Sequence, residues 1–287
     1  MKLHPEFLRY QGPMLKALGR AAVSSLRGPK QGADFHAPGE WLTEAVMPPP
    51  GKLVDAYAEW AGAPAGKYGA GVPPHLFPQW GFPLLSRTLE GLPYKLSAVL
   101  NQGCRLEVKG EIPRGVPLKL RGRLEALDAD GNKARIHQRL ITGTAENPEL
   151  LVSDVFAVIV LKKSKGEPRA EDTNVYKPVG SFRAERIDGL RFGILTGDMN
   201  PLHWVPPYAK MAGFKNEILH GFGTFARTWE LLAQQVGHGR IGLIDVRFIR
   251  PLVLPATADV EVTEGTGERR LRVTDGKTIF AAGTFRV

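Results

Sequence analysis

The chain has 287 residues, close to two domains of about 150. Hydrophobic residues make up 43% and charged residues 23%, which excludes a disordered chain and provides for a sizeable core. The formal charge of +9 comes from lysines and arginines spread along the chain. With no basic run of five and no basic stretch interleaved with aromatics, nucleic acid is not an expected partner.

A diffuse positive field keeps a protein soluble, and it also suits a phosphate-bearing small molecule or an acidic carrier protein. Cys104 is the single cysteine, so no internal disulfide can form and a cytoplasmic location is expected. No motif surrounds it, and it reads as structural. The N-terminus lacks the apolar core of a secretory signal, and no apolar stretch of about 18 residues predicts a membrane span.

Residues 1–45 read as an N-terminal extension. Within it, Met14 to Val23 has the pattern of a basic amphipathic helix. Packing on the protein's own surface is its expected use, with membrane contact the alternative.

A long-period repeat follows. Residues 81–90, Gly-Phe-Pro-Leu-Leu-Ser-Arg-Thr-Leu-Glu, match residues 221–230, Gly-Phe-Gly-Thr-Phe-Ala-Arg-Thr-Trp-Glu, at an offset of 221 − 81 = 140. At the same offset Val108 falls on Phe248, Ile112 on Leu252, Leu118 on Ala258 and Leu120 on Val260. Upstream, Tyr57-Ala58-Glu59-Trp60-Ala61-Gly62 matches Phe192-Gly193-Ile194-Leu195-Thr196-Gly197 at 192 − 57 = 135. The second copy therefore carries 140 − 135 = 5 extra residues, within or near Asp198 to His203.

Each copy predicts a short helix ending at a glycine, a loop, a longer helix from near Gly81 or Gly221, and then strands. In the first copy Asp130-Gly131-Asn132 marks a turn and Val155 to Leu161 a strand. The polar stretch 162–177 reads as a linker between a first domain, 46–161, and a second, 178–287. The second copy predicts a helix through Thr224 to Val236. Its strands fall at Leu243 to Ile249, Thr257 to Val262, Arg270 to Val273 and Thr278 to Phe285, with a hairpin turn at Thr274 to Lys277. One helix followed by antiparallel strands is an α+β layer pattern.

The richest stretch chemically is Gly197-Asp198-Met199-Asn200-Pro201-Leu202-His203. It places a carboxylate and an imidazole five residues apart in a loop defined by Gly197 and Pro201. In isolation such an Asp and His read as a turn cap and a core histidine. Together they can hold a water, with one group deprotonating it and the other reprotonating carbon. The histidines show no ligand spacing, so no metal is expected. No glycine-rich phosphate loop follows a strand, so no nicotinamide cofactor is expected.

The string from Phe192 through Leu195, Thr196, Gly197, Asp198, Asn200, Pro201, Leu202 and His203 to Ala209 resembles the hydratase 2 signature of the MaoC-like dehydratase family. His220-Gly221-Phe222, Val246-Arg247-Phe248, Pro251 and Pro255 also resemble that family. The likeness is strong over about 180–287 and weaker over about 50–160, which resembles a degenerate N-terminal half. It implies a double hot-dog fold: two antiparallel sheets, each wrapped around a long helix, paired within one chain.

The implied activity is (R)-specific hydration of trans-2-enoyl thioesters, or the reverse dehydration, on coenzyme A (CoA) or an acyl carrier protein. Asp198 and His203 would activate the water, and Asn200 would hold the loop or assist. The Gly221 N–H would bind the thioester oxygen, although Gly221 also reads as a plain helix-start glycine. An inert acyl-thioester-binding or supporting subunit is the alternative, and a thioesterase a weaker third. A homodimer is compatible with the pattern. His75 reads as structural. Arg247, Arg250, Lys210 and Lys215 are candidates for substrate phosphates, though singly each reads as solvated surface.

Overall fold

The computed structural model describes residues 3–27, 36–162, 172–237 and 240–287. Most of the expected linker thus lies outside the described residues. A 3-10 turn, Pro5–Tyr10, leads into α1, Gly12–Arg27. The first half then runs β1 Leu42–Val46, α2 Gly51–Ala61, β2 Gly71–Val72, α3 Pro78–Arg87, β3 Leu100–Val108, β4 Ile112–Pro113, β5 Leu118–Ala129, β6 Lys133–Gly143 and β7 Leu151–Val160. The second half repeats that order with α5 added: β8 Lys177–Ala184, α4 Asp188–Thr196, α5 Pro206–Met211, β9 Ile218–Leu219, α6 Gly221–Val236, β10 Leu243–Phe248, β11 Leu252–Val253, β12 Ala256–Val262, β13 Glu268–Thr274 and β14 Ile279–Arg286.

Ten of the strands form one antiparallel sheet in the order β1-β5-β6-β7-β3-β10-β14-β13-β12-β8, and β2 with β4 and β9 with β11 form two small antiparallel pairs. The order is symmetric about the β3–β10 seam, where Cys104 faces Val246. The two expected sheets are therefore two five-stranded halves joined edge to edge. Joining them removes one exposed edge from each half, a standing aggregation hazard for isolated sheets. Burial pushes the Cys104 thiol up, which leaves it protonated and unreactive in the seam.

α6 is the central helix of the second half. Every residue from Phe222 to Glu230 is buried, because the helix has β8 on one side and the first half on the other. Phe222, Phe225, Trp229 and Leu232 join one core with Leu106, Leu140, Val246, Val260 and Phe285, so the two halves share a single apolar interior.

The first half's helix differs from expectation. Gly81 lies inside α3, which starts at Pro78 and ends by Arg87, whereas Gly221 opens the sixteen-residue α6. Proline near the start supplies a preset φ, and Pro83 within the helix limits its length. A 3-10 turn, Pro74–Leu76, stands just ahead of α3.

The structure also resolves the net five residues. β9 lies 218 − 71 = 147 positions after β2, while β11 lies 252 − 112 = 140 after β4 and Gly197 lies 197 − 62 = 135 after Gly62. The second half thus gains twelve residues between its first helix and β9, which hold Asp198, His203 and α5. It then loses seven before β11. β1 starts at Leu42 and pairs with β5 as an edge strand, so the first half's sheet begins ahead of residue 46.

The N-terminal residues are part of the core. Phe7 is buried in the main cluster, and Gln11, directly before α1, is buried with Met14 and Ala17 of α1 while Lys16 and Arg20 face out. The amphipathic pattern therefore serves packing on the protein itself. No described helix is long and apolar enough to cross a membrane.

Candidate active site

The site is built on α4. At its start Asp188 accepts from the Glu185 N–H, from Arg191 at 3.0 Å and from Trp60 Nε1 at 3.1 Å, and pairs with Arg227 at 3.0 Å. Burial works to raise this carboxyl, but Arg227, the Glu185 amide and Arg191 outweigh it and hold it below its ordinary range. A buried charge paired this fully is costly to disturb. Trp60 belongs to α2, so the network ties the helix bearing the site to the first half.

At the other end Gly197 adopts φ 87°, and its N–H closes on the Gly193 carbonyl at 2.7 Å. Left-handed backbone at the end of a helix favours glycine. The reversal sends residues 198–203 back along α4. Gly189 and Gly193, four apart and so on one helix face, make room for them. A Cβ on Gly189 would stand 1.8 Å from the His203 carbonyl oxygen, and one on Gly193 would stand 2.9 Å from that of Asp198.

Asn200 is exposed, and its Oδ1 accepts the Leu202 N–H at 3.1 Å. It caps the Pro201–His203 turn, and its own N–H lies 3.4 Å from Asp198 Oδ1. Of the two uses weighed for Asn200, these contacts are those of holding the loop. Trp204 Nε1 adds a bond to the Met199 carbonyl at 3.2 Å.

His203 is 9% exposed, and its Nδ1 lies 2.8 Å from the Ile218 carbonyl. A carbonyl only accepts, so Nδ1 carries the proton and Nε2 keeps its lone pair. Burial lowers the His203 pKa against the pull of Asp198, and burial raises Asp198 against the pull of His203. The pair thus favours neutral imidazole.

His220 completes the cluster. It stands at the N-cap position of α6 without a side-chain capping bond, donates from Nε2 to the Asp198 carbonyl at 3.0 Å, and packs against Phe192 at 4.5 Å between ring centroids. Its buried Nδ1 has no hydrogen-bond partner among the described residues. Burial, followed by the neighbouring His203, drives its pKa well below the ordinary value.

One ligand atom each from Asp198, His203 and His220 lies within 4.8 Å of the others, close enough to share a cation by distance alone. However, His203 Nδ1 and His220 Nε2 each already bond a backbone carbonyl, so each ring could offer a cation only its other nitrogen.

Gly221 is the first residue of α6, next to His220. N–H groups of a first turn have no acceptor within the helix, and sixteen aligned peptides place partial positive charge there. A Cβ on Gly221 would come 2.4 Å from the Phe248 ring. In the first half Pro73 directly follows β2 as His220 follows β9, and Pro74 then opens the 3-10 turn as Gly221 opens α6. Proline has no N–H to donate, so the counterpart site lacks this donor as well as an Asp–His pair. A cavity of about 450 Å³ lies there, walled by Tyr68, Val72, Pro74, Ile112 and Trp229, away from Asp198 and His203.

The remaining candidates lie elsewhere. Lys210, Lys215 and Arg250 are exposed. Arg247 is engaged by Asp245 and stacks on Phe156 at the sheet seam. His75 is fully buried, 2.8 Å from Glu230 of α6, and so links the halves.

The sequence reading missed His220 as a site member, along with Asp188, Gly189 and Gln11. His220 stood directly before Gly221 at a helix start where Ser, Thr, Asn or Asp is usual, and that was a usable signal. The contacts of the other three span separate elements.

Residues 167–279 match the family model described as "MaoC like domain". The second half is a MaoC-like domain. A protein named 3-hydroxyacyl-thioester dehydratase X, from Mycobacterium tuberculosis, is 26% identical over 258 residues, covering 88% of this chain and 90% of that protein. The solved structure of HtdX from Mycobacterium tuberculosis superposes with a TM-score of 0.71 at 22% identity, covering 86% of this chain and 99% of that one. A conserved hypothetical protein from the same organism, described as having a double hotdog fold, superposes at 0.57 and 11% identity, covering 91% and 99%. The MaoC-like domain is thus the second unit of a double hot-dog, and the likeness to HtdX runs across both units.

Proposed function

We propose that this protein adds water to trans-2-enoyl thioesters to give (R)-3-hydroxyacyl thioesters, and catalyses the reverse dehydration. The observation that carries this reading is the orientation of His203. Its Nδ1 bond to Ile218 leaves Nε2 bare as a base, within the cluster that holds the Asp198 carboxyl. The 3-hydroxyacyl-thioester dehydratase named among its relatives spans both halves and supports the same chemistry.

In hydration, a water held by Asp198 and His203 attacks C3 while Nε2 takes one of its protons. The C2–C3 π electrons move towards the thioester carbonyl, and the enolate oxygen accepts the Gly221 N–H. A fixed donor at a helix start stabilises that charge. The enolate collapses by taking at C2 the proton that the Asp198–His203 pair has gained, and the pair returns to its starting state. Dehydration retraces these steps. The substrate carrier is CoA or an acyl carrier protein. No step uses a metal, so activity is expected to survive dialysis against EDTA.

The test follows loss of enoyl absorbance with crotonyl-CoA, then with longer, branched and carrier-bound enoyl thioesters. Loss with the native protein and little with Asp198→Asn or His203→Ala supports the reading. Turnover that survives both substitutions refutes the site. Inertness on all substrates refutes the activity and leaves the thioester-binding role.

A further inference from the structure

The buried side chain of Gln11, on the N-terminal face of the molecule, ends where the candidate site begins. Its Nε2 donates to the carbonyls of Ile194 at 3.0 Å and Leu195 at 3.1 Å, in the last turn of α4. Those carbonyls have no intrahelical donor, because the chain leaves the helix at Gly197. Gln11 is 1% exposed, and its Oε1 accepts from Gln79 of α3 at 3.3 Å. A Cβ on Gly197 would come 2.7 Å from Met14 Cβ and 3.1 Å from Gln11 Oε1. The turn that delivers Asp198 is thus pressed between its own helix and α1.

We infer that Gln11 is a positioning residue for Asp198: it terminates α4 from outside and fixes the direction in which the 198–203 loop departs. The inference rests on the proposed hydratase reading for its catalytic consequence, but not for its structural one. Phe7, buried in the common core, anchors the segment, so the contact is part of the fold. A capping amide that holds a catalytic loop acts on placement, where an error of 1 Å can cost as much as about a hundredfold in rate.

The experiment compares Gln11→Met, which keeps length and packing but removes both donors, with the native protein; Gln11→Ala is the second variant. Three quantities are read: kcat and KM on the best enoyl thioester, the pH profile of kcat, and amide hydrogen exchange across 197–204 against 243–262 as reference. Expected for Gln11→Met are a fall in kcat of roughly tenfold, KM within about twofold, a displaced acid limb, and faster exchange confined to 197–204. Unchanged kcat and pH profile, with only a lower Tm, overturn the inference. So does unchanged exchange. If the native protein is inert on every thioester, the hydratase reading fails separately, and local exchange decides whether Gln11 holds the loop.

Discussion

The imidazole rings of His203 and His220 lie stacked, 3.5 Å between centroids and 25° apart. Two cations cannot share that position in a buried site, so each ring favours the neutral state of the other. Both pKa values are lowered, which means that the unfolded chain binds protons more readily than the folded one. Stability is therefore fully present above the ordinary histidine value of about 6.5 and declines as pH falls below it, by about 1.4 kcal/mol per pH unit for each proton. Asp198, raised by burial, opposes this at more acid pH. Urea unfolding between pH 7.5 and 5 is expected to show that decline. His220→Gln should flatten it, and an equal slope in the variant would rule out the stacked pair as its source.

His203 stays neutral below its ordinary range, so kcat/KM should hold its plateau down through pH 6.5 and fall only at lower pH. Asp198→Asn and His203→Ala are each expected to lower kcat by about 10²–10⁴, and the double variant by little more than the worse single one. Steady-state rates on one thioester, with folding checked by circular dichroism, measure both. Fully multiplicative losses would show that the two groups act independently.

Gly189→Ala places a methyl against the His203 backbone oxygen, which cannot yield as a flexible side chain would. The loop must shift or α4 must move, at a cost of about 1–3 kcal/mol or more. Activity should fall further than stability, because the oxygen belongs to the residue that carries the base. A variant with native kcat and Tm would show that α4 and the loop are not in this register.

Glu230→Ala leaves His75 buried without its hydrogen-bonding carboxylate and should cost about 1–3 kcal/mol, whereas Glu230→Leu with His75→Phe should recover much of that. Denaturant titration of the three chains decides it. Equal losses in the single and double variants would mean that packing, rather than the unpaired polar group, sets the cost.

The sequence alone determined the repeat, the helix-ending glycines at 62 and 197, the main strands and the Asp198–His203 loop. Each of these is a local pattern: alternation, a turn residue, or a string of neighbours. A contiguous motif is legible because its members share one short loop, whatever the rest of the chain does.

Only the tertiary structure decided the rest. The net five residues proved to be twelve gained and seven lost, since a difference in length does not say where β9 and β2 pair. His220 entered the site because α6 starts against the Asp198 loop. Gln11 reached α4 across 183 positions of sequence, and Asp188 met Trp60 across 128. Gly189 is small because a carbonyl from fourteen residues later passes over it. These are long-range contacts between elements, and no local periodicity encodes them. They exist only once the two halves close on one core.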